Sequence, residues 1–204
     1  MEEFKIIVLI SGSGTNLQAI IDAIDSADLP SNAKISLVIS NKKGAYGLTR
    51  AKNHNIETLY LPIKSKPISS RLEGEKKLLE KIMDISPDLI VCAGWMHILG
   101  SEFLNGLENI PIINLHPALP GMFPGADGIG DALKAYQEGK ISQTGVMVHE
   151  VIAEIDAGKV LGTVIVPIEK TDNLETLSHK VKSAEKPLLL SVIKQIIIKQ
   201  MIIK

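Results

Sequence analysis

From Phe4 onward, short and nearly continuous apolar runs alternate with stretches whose apolar positions recur at helical spacing. The runs Phe4 to Ser11, Ile35 to Ser40, Glu57 to Leu61, Leu89 to Ala93, Ile110 to Leu115, Gly145 to Val151 and Val160 to Ile168 predict strands. Helical spacing predicts helices over Asn16 to Ser26, Ala45 to Asn53, Arg71 to Ile85 and Ile129 to Glu138, with a long final helix from Leu174 to about Gln200. Strictly alternating strands and helices are the mark of an α/β fold. The early strands lack a polar face, as expected of a parallel sheet covered by helices on both sides. After Gly145 two strands follow one another across the short stretch "EVIAEIDAGKV", which predicts a hairpin and an antiparallel portion at one side of the sheet. The expected architecture is a mostly parallel, seven-stranded sheet with helices on both faces. No repeat or Pro/Ser-rich linker interrupts the pattern, so residues 1–204 read as one domain, with two small domains left open by the length.

Composition narrows the function classes. With 45% hydrophobic and 22% charged residues in 204, the chain has enough apolar material for a sizeable core. A net charge of −1 gives no broad positive field for a polyanion, and 3% aromatic residues leave no base-stacking platform, so nucleic acid is not an expected partner. The single cysteine, Cys92, lies in "DLIVCAG", where it reads as a small buried hydrophobe and suits a reducing, cytoplasmic setting. The start "MEEFKIIVLI" is acidic and its apolar run too short for a secretory signal. "LLLSVIKQIIIKQMIIK" raises the membrane question, but Lys194 and Lys199 interrupt it before ~20 apolar residues accumulate. It reads as a last core helix followed by an odd tail, with no membrane partner. No Cys/His or paired-carboxylate spacing suggests a metal.

Two stretches carry candidate chemistry. "VLISGSGTNLQAII" is a strand, a Gly-rich turn and a helix opening, the arrangement in which free backbone N–H groups and the helix dipole receive an anion. Gly12 and Gly14 permit the turn, and Thr15 and Asn16 add side-chain donors and a cap. Leu17 stands where the dinucleotide fingerprint wants glycine, and "ISNKK" lacks its acid, which disfavours NAD. Lys42 and Lys43 keep an NADP-dependent reductase as a competitor, and the plainer alternative is a turn that only tightens strand-helix packing.

In "INLHPALPG" side-chain alternation points Asn114 and His116 the same way at the end of a strand, at the sheet edge where ligands of open α/β sheets bind. An amide and an imidazole aimed at one point make an oxyanion site, and imidazole titrates near neutrality and can also move a proton. Asp156, held in the turn of "EIDAGKV", is the candidate acid to support it, with Glu154 as a more exposed rival. The plainer reading gives each of the three a local structural job. Of the remaining histidines, His54 reads as a helix-end residue, His179 as a solvated helix face and His149 as packing or support. His97, just past the fourth strand, reads as lining the same sheet edge.

"VLISGSGTNLQAII", "AGWMHIL", "INLHPALP" and "VHEVIAEIDAGKV" resemble, in order and spacing, the phosphoribosylglycinamide formyltransferases of purine synthesis, in a style similar to the fungal enzymes, over about residues 4 to 190. The resemblance implies a Rossmann-like formyltransferase fold, with a phosphate-binding half over about 1–100 and a catalytic and folate-binding half over about 101–204, transfer of a formyl group from 10-formyltetrahydrofolate to the amine of glycinamide ribonucleotide, and no metal. It assigns Gly14, Thr15 and Asn16 to the substrate phosphate, and Lys182, Ser183, Ala184 and Glu185 to its ribose end. Arg71, Met96, His97, Ile98, Leu99, Asn114 and Ile152, Ala153, Glu154, Ile155 and Asp156 fall to the folate. Asn114, His116 and Asp156 would be catalytic, in a monomer or homodimer. The chain departs from the resemblance in "FPGADGIGDAL", which is glycine-rich and lacks a histidine common there, and at His97, where bacterial relatives often have Arg. Among related activities, a methionyl-tRNA formyltransferase would add a C-terminal domain and basic surface, and a formyltetrahydrofolate deformylase an N-terminal domain. A non-catalytic ribonucleotide binder would show affinity without turnover.

Overall fold

The computed structural model describes residues 2–203. Two compact units divide the chain, one made of residues up to Ile113 together with the end from Ile196, the other of Asn114–Gln195.

In the first unit, β1 (Phe4–Ile10), α1 (Thr15–Asp25), β2 (Ala33–Ser40), α2 (Tyr46–Asn53), β3 (Thr58–Tyr60), α3 (Ile68–Ile85), β4 (Leu89–Cys92) and α4 (Ser101–Asn105) lead into β5 (Ile112–His116). β1 pairs in parallel with β2 and β4, and β2 with β3, in the registers Val8↔Val38, Val8↔Val91 and Ile39↔Leu59. Ile6 to Ile10 have no exposed surface, so both faces of β1 are covered, which is why its sequence shows no alternation. Leu17, Ile20 and Ile21 of α1 and Leu78 and Ile82 of α3 supply buried apolar stripes at helical spacing. The five-residue α4 has no counterpart in the sequence reading, because one turn and a half carries too few positions to display a period.

The second unit holds the end of β5, α5 (Gly128–Gln137), β6 (Gln143–Glu150), β7 (Val160–Pro167) and most of α6 (Leu174–Ile203). β6 and β7 form the expected antiparallel pair, with a register irregularity between Val148 and His149. Such a bulge bends the strand and re-aims its side chains. Strand order in the sheet is β3-β2-β1-β4-β5-β6-β7. The mostly parallel sheet with an antiparallel end therefore matches the sequence expectation. Leu177, Val181, Leu189 and Ile193 bury the apolar stripe of α6 in this unit. The helix runs through Pro187 and on to Ile203, so the stretch beyond Gln200 that reads as a tail continues as helix. Among the described residues no helix is long and apolar enough to cross a membrane.

Candidate active site

In the first unit the Gly-rich turn leaves β1 and enters α1 through Gly14, the N-cap, at φ 69°. A Cβ at Gly14 would stand 2.6 Å from Gly47 Cα, so both the left-handed backbone and the approach of α2 require glycine here. Gly47 N donates to Gly12 O at 3.1 Å, which locks the turn against α2. The side-chain cap expected from Thr15 or Asn16 is not formed, because the cap position belongs to a residue without a side chain. What remains is a helix opening whose first N–H groups have no side-chain acceptor from the cap residue, the condition that suits an incoming anion. Arg50 adds a cation beside it, donating from Nε to Ser13 O at 2.9 Å and from Nη1 to Gln18 Oε1 at 3.1 Å. Nothing in the sequence singles out Arg50, since a lone arginine inside a helix has no local signature.

Also in the first unit, the segment after β4 alternates strictly. Trp95, His97 and Leu99 are buried, while Met96 and Ile98 are 65% and 56% exposed. Ser11 Oγ accepts from Met96 N at 2.8 Å, so the residue that follows β1 also anchors this segment. Arg71 pairs with Glu75 and donates from Nη2 to Ile98 O at 3.0 Å. His97, expected at the sheet edge, instead turns inward: its Nε2 lies 2.9 Å from Glu75 Oε1.

In the second unit two side chains from the end of β5 meet the carboxylate of a third that lies far along the chain. Asn114 and His116 project from the end of β5, as alternation predicts, and Asp156 reaches them from the β6-β7 loop. Asn114 Nδ2 is 3.4 Å from Asp156 Oδ1, and His116 Nδ1 is 3.4 Å from Asp156 Oδ2. Asp156 sits at φ 52°, a left-handed conformation that Asp tolerates better than most residues. Gly125 N donates to its Oδ2 at 2.9 Å. Burial alone would raise the carboxyl pKa. Hydrogen bonds from His149 and the Gly125 N–H, with the neighbouring imidazoles, outweigh that and hold it below the ordinary range.

Hydrogen bonding fixes the imidazole orientations. His116 Nε2 lies 3.0 Å from Phe123 O, which only accepts, so Nε2 carries a proton and Nδ1 faces the carboxylate. His149, read from sequence as packing or support, has Nδ1 2.8 Å from Glu150 O and Nε2 3.2 Å from Asn114 Nδ2. Its neutral ring accepts from the amide, and its protonated ring donates to Asp156 Oδ1 at 3.4 Å. Glu154, the rival acid, is exposed and has no place in this cluster.

Ile152 and Ile155 in the same loop are large apolar residues left 46% and 47% exposed. Lys182, Ser183, Ala184 and Glu185 lie along α6, where Ser183 Oγ donates to His179 O at 2.8 Å. Cys92 is buried and its thiol pKa is pushed up to about 12 by desolvation, which removes it as a nucleophile. Among the described residues no group of three or more His, Cys, Asp or Glu side chains is arranged to hold a metal. A cleft of about 610 Å³ in the first unit, lined by Lys5, Asp25, Ala33, His54 and Ile56 among others, contains none of the expected site residues.

Comparison with known proteins shows which family the chain belongs to. Residues 4–193 match the formyl transferase family. The chain is 50% identical to a phosphoribosylglycinamide formyltransferase of Schizosaccharomyces pombe, over 95% of this chain and 97% of the relative. It is 49% identical to the enzyme of the same name from Dictyostelium discoideum, over 94% and 97%. The crystal structure of phosphoribosylglycinamide formyltransferase from Bacillus halodurans superposes with a TM-score of 0.85 at 32% identity, covering 94% of each chain. The chain belongs to the formyl transferase family, in its phosphoribosylglycinamide formyltransferase branch.

Proposed function

We propose that this protein transfers a formyl group from 10-formyltetrahydrofolate to the amine of glycinamide ribonucleotide, a step of purine synthesis, and that Asn114, His116 and Asp156 carry the chemistry. The observation that supports this reading most is the shared carboxylate, with Asn114 and His116 from β5 on its two oxygens.

The ribonucleotide amine attacks the formyl carbon, and the carbonyl oxygen becomes an oxyanion in the tetrahedral intermediate. A donor aimed at that oxygen stabilises charge that exists only near the transition state, so it lowers the barrier without tightening ground-state binding. Asn114 Nδ2 and protonated His116 are the donors, the amide giving up its contact to His149 Nε2 or to Asp156 Oδ1 for the substrate oxygen. His116 Nε2–H is directed at Phe123 O, so its delivery to the oxyanion exchanges that carbonyl for the substrate oxygen. Asp156, ionised and held by Gly125 N, opposes the imidazolium charge through Nδ1. The attacking amine loses a proton, the folate nitrogen gains one, and collapse of the intermediate expels tetrahydrofolate. Asp156 and the imidazole provide the route for that proton.

The remaining assignments follow the same reading. Gly14, Thr15 and Asn16 hold the phosphate at the α1 opening, with Arg50 adding positive charge, and Lys182 to Glu185 meet the ribose end. Met96 to Leu99 and Arg71 of the first unit are assigned to the folate, as are Ile152 to Asp156 of the second. In each unit taken by itself the exposed apolar side chains, Met96 and Ile98 in the first and Ile152 and Ile155 in the second, suit a flat heteroaromatic ring.

The test is an assay of purified protein with the formyl donor, with and without glycinamide ribonucleotide. Release of tetrahydrofolate that depends on the amine, with formylated product, is the expected result. Release without the amine would mean deformylation, and no release in either case would leave a binding protein.

A further inference from the structure

The buried carboxylate of Glu75 has no part in the chemistry above, yet three donors converge on one of its oxygens. Oε1 accepts from Arg71 Nε at 2.9 Å, from His97 Nε2 at 2.9 Å and from Gly100 N at 3.2 Å. Its side chain is 3% exposed, as is that of His97. The second oxygen, Oε2, is buried without a partner among the described residues. A buried ion pair of this kind is weak evidence for stability, since apolar replacements of similar volume are often neutral or stabilising. A half-satisfied buried carboxylate is costlier still. What it does achieve is geometric.

His97, Ile98 and Gly100 belong to one stretch, and each is tied directly or through Arg71 to the same carboxylate. At its other end the stretch is tied through Met96 N to Ser11 Oγ, which in turn donates to Asn41 Oδ1 at 2.7 Å. His97 packs edge-on against Trp95 at 83°. A segment without ladder hydrogen bonds has little to set its register, and a slip of one residue would exchange the buried and exposed sets. The Glu75 tie fixes which set faces out: Met96 and Ile98.

We propose that Glu75 is a positioning residue for the formyl donor, acting through Arg71, His97 and the Gly100 backbone to present Met96 and Ile98 to the folate ring system. The inference rests on the reading of this segment as the folate side. Glu75 itself touches no substrate. Its loss frees the segment to sample the other register, and the donor then binds a minor conformation with lower apparent affinity.

Glu75→Gln tests this directly, because it keeps the side-chain shape and an acceptor oxygen but removes the charge that holds Arg71. The expected result is a KM for formyl-folate raised roughly tenfold or more, with kcat and the KM for ribonucleotide changed by less than about twofold. Gly100→Ala is a second variant that disturbs the same tie from the opposite side, since its Cβ would stand 2.7 Å from Glu75 Oε2 and 3.1 Å from Arg71 Nη2. It should raise the same KM, and it carries the test should Glu75→Gln fail to fold. An unchanged donor KM in a folded variant, or an equal loss in all three parameters, would overturn the proposal. Should the unaltered enzyme show no amine-dependent formyl transfer, the donor reading itself is at fault and not the role of Glu75.

Discussion

Asp156 shows how a single residue acquires its role from its surroundings. Desolvation would raise its pKa, but the combined hydrogen bonds and imidazoles keep it below the ordinary value. Because the folded value is lower than the unfolded one, the ionised form favours the native state. That contribution is present above the unfolded midpoint of ~3.9 and is lost as pH falls through the folded value. A carboxyl-carbon NMR titration, assigned by comparison with Asp156→Asn, should place its midpoint below ~3.9; a midpoint above that would mean desolvation dominates. The residue scale is also where sequence legibility divides most sharply. Asn114 and His116 were readable, since strand alternation alone puts them side by side. Asp156 was readable through its turn, where an Asp before Ala-Gly has few conformations open to it. Glu75 was not. In "LEGEKKLLEK" nothing local separates it from Glu73 or Glu80, and only the helix face that meets His97 and Gly100 does so. Arg50 is invisible for the same reason.

At the scale of elements, the α1 opening depends on a close approach between two backbones. Gly14→Ala would combine a left-handed backbone penalty with a methyl driven into Gly47, and α2 would have to move. We expect a loss of roughly 2 to 4 kcal/mol in unfolding free energy, read from urea denaturation, together with weaker ribonucleotide binding. A variant of unchanged stability would mean that the turn is more pliant than its geometry implies. Long periodic elements such as α3 and α6 were legible in the sequence, and the nearly continuous apolar run of β1 announced a strand buried on both faces. The short α4 was not, and neither was the helical continuation beyond Gln200. There the sequence reads Met201, Ile202, Ile203, Lys204, too few positions to show a helical period, and the choice is settled by the α6 turns that precede it. Pro187, inside α6, lacks an N–H and so deprives the Ser183 carbonyl of its helix partner, at the position where the ribose contacts are proposed.

For the whole molecule, the match to a phosphoribosylglycinamide formyltransferase extends over 97% of that relative's length, so the family assignment rests on the full chain and not on one motif. The sheet class was legible because alternating elements leave few architectures open. The hairpin at its antiparallel end was legible because the loop is too short for a parallel crossover. What periodicity cannot supply is the meeting of residues 42 positions apart, the separation of Asn114 and Asp156, which only folding of the second unit brings about. The most direct measurement is turnover by His116→Ala set beside its ribonucleotide affinity by calorimetry. The account predicts a kcat reduced by ~100-fold or more with affinity nearly unchanged. A variant that turns over at close to the normal rate would contradict it.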